Sequence, residues 1–420
     1  MISVFVDFFK NKDIRKKIYF TLAMLFIVRL GAAIPAPGIN DTVITLGSSS
    51  LLAMMNLLGG GAIEQMSIFS LGVGPYINAS IIIQLLSMDI IPALTEMSKD
   101  GKRGREKIDR ITRYLAVVMG LVQGYFIVQL LSNQYGIVDN PGWITYLYVS
   151  IIFTAGTMFL LWIGDQITTK GVGNGVSIII FAGIVANMPN SFRSVYQNFV
   201  TTNNNIFGFI LYMIMYIAII VLVILMDAGQ RRIPIQYSSS SPINRTKGDL
   251  NYLPLRINSA SVLPVIFTGA LIQGPQIITS WFNQDAYKWL ADFFDFSKPY
   301  VLVIYALLII LFTFFYTNIT VDPEKIAKDF GTSTYIPGVK PGKETTLYIQ
   351  KILNRITTLG ALLLAFIAVL PYVVSMTTGL PTSAALGGTG VIIAVGVATE
   401  TISTLKAQLT QKKYTGFIGK

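Results

Sequence analysis

The sequence predicts an all-α polytopic membrane protein with ten transmembrane helices, from its apolar stretches and its composition. Each stretch approaches the ~20 residues that cross ~30 Å of hydrocarbon. The 420-residue chain is 53% hydrophobic and only 13% charged, whereas about a quarter of the residues in soluble domains are charged. The predicted spans are 18–35, 73–92, 111–132, 143–163, 174–191, 206–226, 257–279, 299–320, 356–374 and 384–404.

The distribution of Lys and Arg predicts how these helices are oriented. Nearly all of the 32 Lys and Arg residues lie in the N-terminal segment, in alternate loops and in the C-terminal tail, or within a turn of them. The exceptions are Arg29, Arg193, Lys288 and Lys298. Because short loops rich in Lys and Arg stay cytoplasmic, we expect both termini in the cytosol. The net charge of +11 then marks a cytoplasmic surface, which would also attract anionic lipids or an acidic partner.

Ten spans with both termini on one side divide into two halves of five helices, 1–198 and 199–420. Because five is odd, the second half starts on the opposite side of the membrane from the first. The topology therefore predicts two inverted halves with a functional pathway at their interface.

Composition and motifs argue against an enzyme. The chain has no Cys and no His, which excludes disulfides, thiol chemistry, imidazole bases and the usual zinc or haem ligands. The Gly-rich stretch 171–175 lacks the Lys and hydroxyl residue of a phosphate-binding loop, and Glu344 occupies the hydroxyl position in 342–345. We expect no catalytic residue, no metal and no cofactor.

One apolar region is too short to span. Between Gly38 and Leu71 the hydrophobic pieces 51–58 and 62–71 are separated by Gly59, Gly60 and Gly61. Backbone N–H and C=O groups without hydrogen-bond partners are not tolerated in lipid. This region must therefore lie at the external surface or in a protein-lined cavity. It is either an external amphipathic loop or a re-entrant helix that occupies a pore.

Charge inside the spans is scarce. The acidic residues Asp89, Asp165, Asp227 and Glu400 lie at span edges, and Arg29 lies in the outer half of the first span. Ion-coupled transporters keep an ionisable group at depth because they need it for coupling. No acidic residue lies near mid-membrane in this chain, which disfavours an ion-coupled transporter. Arg29 is better explained by snorkelling or pairing.

Residues 67–86 (SIFSLGVGPYINASIIIQLL) and 171–186 (GVGNGVSIIIFAGIVA) form two long motifs. They resemble the second and fifth spans of the SecY family, the channel subunits of the bacterial Sec protein translocase. Shorter matches follow in order at 229–234, 253–258, 335–342 and 387–389, so the resemblance covers essentially the whole chain.

The resemblance implies two inverted five-helix halves around a central hourglass pore, closed by a short re-entrant plug helix and narrowed by an apolar ring. The ring positions are Val73, Ile77, Val176, Ile180, Ile266 and Ile393. Pairs such as Val73 and Ile77 share one helical face, which ordinary packing also explains, but branched apolar side chains can close a pore by dewetting. The plug positions are Gly60, Gly61, Ala62, Ile63, Glu64, Gln65, Met66, Ser67, Ile68, Phe69 and Ser70.

The family also opens sideways between its second and seventh helices, which makes Gln84 and Asn258 candidate lateral-gate residues. The alternative is that the Gln84 side chain forms a permanent hydrogen bond with a neighbouring helix and has no gating role. The basic loops resemble the family's docking loops for the SecA ATPase or a translating ribosome. Candidate contacts are Arg231, Arg232, Arg245, Lys247, Arg256, Lys340 and Lys343. Lys340 stands where the family usually has Arg, so this position keeps the positive charge but lacks the planar guanidinium that can make bidentate contacts.

We therefore expect a protein-conducting channel in the bacterial cytoplasmic membrane. It would pass unfolded secretory polypeptides across and release transmembrane segments into lipid. The partners that the resemblance implies are SecE, SecG, SecA, the ribosome, signal sequences and nascent polypeptides, with anionic lipids at the basic face. An accessory SecY paralogue for dedicated substrates stays open, as do an insertase without a continuous pore and a secondary transporter.

Overall fold

The computed structural model describes residues 10–39, 56, 59–87, 90–138, 140–201, 206–237, 252–281, 289, 293–296, 298–331, 334–379 and 382–418. The described helices are α1 (Lys12–Ala32), α2 (Gly74–Leu86), α3 (Pro92–Lys99), α4 (Gly101–Tyr135), α5 (Trp143–Lys170), α6 (Gly175–Thr201), α7 (Ile206–Ala228), α8 (Leu263–Trp281), α9 (Pro299–Thr320), α10 (Pro323–Phe330), α11 (Lys343–Thr378) and α12 (Thr382–Ile418). The described strands are β1 (Gln230–Pro234), β2 (Gln236–Tyr237), β3 (Tyr252–Arg256) and β4 (Thr334–Tyr335).

A helix overlaps each of the ten predicted spans. Within the described residues, 7 helical segments are long and apolar enough to cross a membrane, while Gly74–Leu86 and Leu263–Ile272 are shorter apolar helices. The prediction of a mostly helical, multi-pass membrane protein is confirmed. Several helix boundaries differ from the predicted spans: α8 begins at Leu263 rather than 257, α6 continues past residue 198 to Thr201, and α4 and α11 begin well before their predicted spans.

Local sequence explains where several helices end. The side chain of Asn11 accepts a hydrogen bond from the Asp13 backbone N–H at 3.1 Å and caps α1. Helices α4 and α11 end at Gly136 and Gly379, which adopt left-handed conformations with φ of 63° and 67°. Glycine is favoured there because it has no Cβ to clash.

Helices α4 and α5 pack closely through a small-residue face. A Cβ at Gly120 would lie 3.0 Å from Thr154 Cγ2, and one at Gly124 would lie 2.8 Å from Ser150 Oγ. The Ser150 hydroxyl also donates a hydrogen bond to the Leu121 carbonyl at 2.6 Å. Two glycines four residues apart let helix backbones approach in lipid, where packing and hydrogen bonding drive association.

One large apolar core joins the rest of the bundle. Its buried residues come from α1, α5 to α9, α11 and α12, and from the segment just before α2. Helix α12 packs against both α6 and α7, and α9 packs against α11. The helices before and after residue 198 therefore share one core.

The two predicted basic loops form a small β-structured unit. Strand β1 pairs antiparallel with β3, with Arg231 opposite Leu255, and β2 pairs antiparallel with β4. Beneath these strands Ile233, Leu255, Ile336 and Ile349 form a buried apolar cluster. The two predicted basic loops are thereby brought together. We call residues 230–237, 252–256 and 334–343 the basic platform.

We expect Gly124→Leu to push α4 and α5 apart and to destabilise the protein by about 1–3 kcal/mol, the usual cost of overpacking. Thermal unfolding in detergent measures the loss. Val118→Leu, at an exposed position of the same helix, is the matched control. Equal melting temperatures for the two variants would show that the close approach of α4 and α5 contributes nothing to stability.

Candidate functional site

The six predicted ring residues lie in or against one apolar core. Val73, Ile180, Ile266 and Ile393 are 2%, 5%, 7% and 3% exposed and belong to the large core, while Ile77 and Val176 are half-buried and pack against it. They come from α6, α8, α12 and the start of α2. Four elements distant in sequence thus contribute these residues to one core, and the ring itself stays a prediction.

The predicted plug residues do not form a helix. Residues 59–73 form a succession of turns, with an isolated antiparallel bridge between Ser67 and Pro35. The expectation of a helix at 60–70 is therefore wrong. Gly60, Gly61 and Met66 have φ of 71°, 86° and 43°, and left-handed residues cannot continue a right-handed helix.

Side chains replace the hydrogen bonds that a helix would have supplied to this segment. The Asn56 side-chain oxygen accepts hydrogen bonds from the backbone N–H groups of Ile63 and Glu64, both at 3.2 Å. The Ser70 hydroxyl lies 2.6 Å from the Ser67 carbonyl and 3.0 Å from the Ala62 carbonyl, within donating distance of both. These side chains give the backbone groups hydrogen-bond partners that the hydrocarbon of a membrane cannot offer.

The plug segment is buried between two cores. Ala62 and Phe69 belong to the large core that holds the ring, whereas Ile63 and Met66 belong to a second core shared with α4 and α5. Thr157 of α5 donates a hydrogen bond to the Gly72 carbonyl at 2.9 Å. The segment is thus largely covered by protein, which favours an element in a protein-lined cavity over an external amphipathic loop.

Glu64 is the ionisable residue of the plug segment. Burial raises the pKa of its carboxyl group above the usual value, and a hydrogen bond with Asn56 opposes that rise. Burial has this effect because it penalises the charged form.

The predicted gate residue Gln84 is bonded to a neighbouring helix. Its side-chain oxygen accepts a hydrogen bond from the Tyr316 hydroxyl of α9 at 2.9 Å, and its amide donates to Ser80 at 3.2 Å. Tyr316 also stacks on Phe267 of α8, with ring centroids 4.7 Å apart. With Ile81 of α2, these rings form an apolar cluster across the predicted gate.

Asn258 lies in the turn before α8 and is bonded to other elements. Its amide donates to Asp227 Oδ1 at 3.0 Å, and Thr399 of α12 donates to Asp227 Oδ2 at 2.6 Å. Gln84 and Asn258 therefore bind separate partners. Sequence reasoning missed Tyr316 and Thr399, because hydroxyl residues in apolar helices carry no local signal of their partner.

The described candidates for docking lie on the basic platform or at its edge. Arg231, Arg232, Arg256, Lys340 and Lys343 are all exposed. The Arg232 guanidinium lies over the Tyr252 ring, 4.7 Å from its centroid, a cation–π contact that orients it. Arg245 and Lys247 lie outside the described residues. The platform thus presents positive charge from two loops on one surface.

Comparison with known proteins is consistent with this geometry. A family model described as SecY matches residues 67–402. The chain is 43% identical over 431 residues to the protein translocase subunit SecY of Bacillus licheniformis, with 100% of each chain covered. It is 41% identical over 432 residues to the subunit of that name from Staphylococcus epidermidis, again with 100% of each covered.

Solved structures share the fold. A chain described as "The structure of a protein conducting channel" is similar with a TM-score of 0.68 at 18% identity, covering 94% of this chain and 92% of that one. Sec61 in the canine ribosome–channel complex from the endoplasmic reticulum is similar with a TM-score of 0.65 at 17% identity, with the same coverage.

We expect Asn258→Ala to destabilise the protein by about 1–3 kcal/mol, because the half-buried Asp227 Oδ1 would lose its donor. Thermal unfolding in detergent provides the measurement, and the exposed Asn354 supplies the matched control, Asn354→Ala. Combining Asn258→Ala with Thr399→Val should give a non-additive loss, since both side chains bond one carboxylate. Strict additivity would contradict a shared Asp227 cluster.

Proposed function

The chain belongs to the SecY family and is a channel subunit of a protein translocase rather than an enzyme, and from this premise we propose how it conducts polypeptides. Unfolded secretory chains pass through the ring formed by Val73, Ile77, Val176, Ile180, Ile266 and Ile393. The plug segment, 60–70, occupies the path in the resting state. Transmembrane segments leave sideways between α2 and α8.

The observation that carries this proposal is the shared core of ring and plug. Phe69 and Ala62 of the plug pack in the same apolar cluster as Val73, Ile180, and Ile266. Branched apolar walls exclude water and ions, and they offer no polar group that would hold a passing backbone. Such a ring seals the membrane yet binds a moving chain weakly.

We further propose ten transmembrane helices in two inverted halves, 1–198 and 199–420, with both termini in the cytosol of a bacterial cell. The charge distribution supports this topology, and a helix overlaps each predicted span. The bacterial origin of the relatives supports the cytoplasmic membrane as the location.

The lateral gate is proposed to run between α2 and α8, with Gln84 and Asn258 at its edges. The apolar cluster of Ile81, Phe267 and Tyr316 closes this side, and the Gln84–Tyr316 bond adds a polar contact. Interhelical hydrogen bonds in membranes contribute only ~0.6–2 kcal/mol. A signal sequence could therefore replace the closed contacts by offering its own apolar surface.

The basic platform is the proposed docking surface for the SecA ATPase or a translating ribosome, and SecE and SecG are the proposed membrane partners. The solved Sec61 relative is a ribosome–channel complex. Exposed Arg and Lys suit ribosomal phosphates and the carboxylates of a motor alike. Anionic lipids would bind the same positive face.

The ring assignment is tested by crosslinking, since the chain has no native Cys. Ile180→Cys or Ile266→Cys should form a disulfide with a single Cys in a secretory chain arrested during passage. The crosslink should require a signal sequence and an active motor. Ile217→Cys, at an exposed position of α7, is the control and should stay unlinked. Failure at both ring sites, with the arrested chain shown to be engaged, would refute the ring.

The docking assignment is tested by charge reversal. Arg231→Glu with Lys340→Glu should weaken binding of the motor or ribosome by about tenfold or more, with the loss shrinking at high salt because exposed charges are screened. Lys298→Glu, an exposed charge before α9, serves as control because it lies in a predicted external loop. Equal binding by both variants would contradict the platform.

A further inference from the structure

Arg29 is the one Lys or Arg inside the first predicted span, and the channel function described above does not require it. In the structure its Nη1 donates a hydrogen bond to the Gly60 carbonyl at 2.6 Å. This bond joins α1 directly to the first residue of the plug. A hydrogen bond from a charged donor is about twice as strong as a neutral one.

The plug backbone at this point lies directly against α6. A Cβ at Gly60 would lie 2.8 Å from Gly183 Cα and 3.3 Å from the Gly183 carbonyl oxygen. Gly60 also has φ of 71°, a conformation that side chains disfavour. A glycine on each element therefore permits the approach that brings the Gly60 carbonyl to Arg29.

The other end of the plug rests on two further glycines. A Cβ at Gly156 of α5 would overlap the Ile68 carbonyl, and a Cβ at Gly31 of α1 would overlap the Phe69 ring. Because the Ile68 carbonyl is backbone, it cannot move aside without moving the plug. The plug thus sits in a seat formed by Gly31, Gly156 and Gly183 on three helices.

Packing around the Arg29 end is incomplete. An apolar cavity of about 460 Å³ lies beside it, bordered by Leu25, Phe26, Phe69, Val73, Phe181 and Arg29. A cavity lining loses the dispersion contacts that a filled core would supply. The plug is packed against α6 at Gly183, and on its cavity side the hydrogen bond from Arg29 restrains it.

We propose that Arg29 is a positioning residue that latches the plug closed through the Gly60 carbonyl, with Gly31, Gly156 and Gly183 as the seat. This proposal rests on the channel function proposed above. Opening breaks the Arg29–Gly60 bond and moves the plug off this seat. The charge of Arg29 is retained in the membrane to hold the resting state.

The expected effect follows from the strength of such a bond. A hydrogen bond to a charged group contributes a factor of roughly 10 to 100 in an equilibrium. Removing it should raise the ratio of displaced to seated plug by that factor.

The test places a thiol in the plug and measures its exposure. Ala62 is fully buried and the chain has no other Cys, so Ala62→Cys should react slowly with a membrane-impermeant maleimide in lipid nanodiscs. The rate reports the population of the displaced plug when opening is fast relative to labelling.

Into this background we would introduce Arg29→Gln, Arg29→Lys and, as the charge control, Arg193→Gln, which removes an exposed positive charge from α6. Arg29→Gln should label 10- to 100-fold faster, Arg29→Lys at an intermediate rate, and Arg193→Gln at the parent rate. Equal rates for Arg29→Gln and Arg193→Gln would overturn the latch.

The seat is tested separately. Gly156→Ala should also accelerate labelling, whereas Gly142→Ala should not, because a Cβ at Gly142 meets nothing within 4 Å. An unchanged rate in Gly156→Ala would overturn the seat even if the latch holds. The Gly156→Ala measurement also keeps the proposal testable if an Arg29 variant fails to fold.

Polypeptide transport by the parent protein, measured in proteoliposomes with its motor, keeps the two proposals apart. Normal transport with unchanged labelling in Arg29→Gln would reject the latch and leave the channel intact. Accelerated labelling in a protein that transports no polypeptide would support the latch and reject the channel function.

Discussion

The structure depends on one constraint: the backbone of a non-helical segment inside the bundle must find its hydrogen bonds within the protein. Residues 59–73 form turns, and lipid offers no donors or acceptors in their place. Asn56, Ser70, Thr157 and Arg29 supply them. The segment can exist only where α1, α5 and α6 surround it, so its position follows from its bonding needs.

The same constraint bears on the proposed seal, which must be both tight and reversible. The predicted ring and plug residues share an apolar core, whose contacts are individually weak and lack direction. The side-chain hydrogen bonds that position the plug segment lie along its length, from the Gly60 carbonyl to the Ser70 hydroxyl. In the proposed mechanism such a seal excludes water by packing, and breaking a small number of hydrogen bonds opens it.

The basic platform and the proposed gate are joined by a short length of chain. Strand β3 of the basic platform ends at Arg256, and Asn258, bonded to Asp227, follows almost at once before α8 begins. The Asp227 carboxylate also holds Thr399 of α12. Helices α7 and α12 and the chain between β3 and α8 therefore meet at one carboxylate.

The sequence by itself determined the helices, the membrane class and the break at Gly59–Gly61, because apolar length, charge placement and glycine are local signals. The family resemblance added proposed ring positions, and these lie in or against one core. Tertiary structure alone decided that the plug segment forms turns, that Gln84 and Asn258 bind Tyr316 and Asp227, and that two basic loops form one platform. Those outcomes depend on which distant elements become neighbours, and no local pattern specifies the partner of a polar side chain.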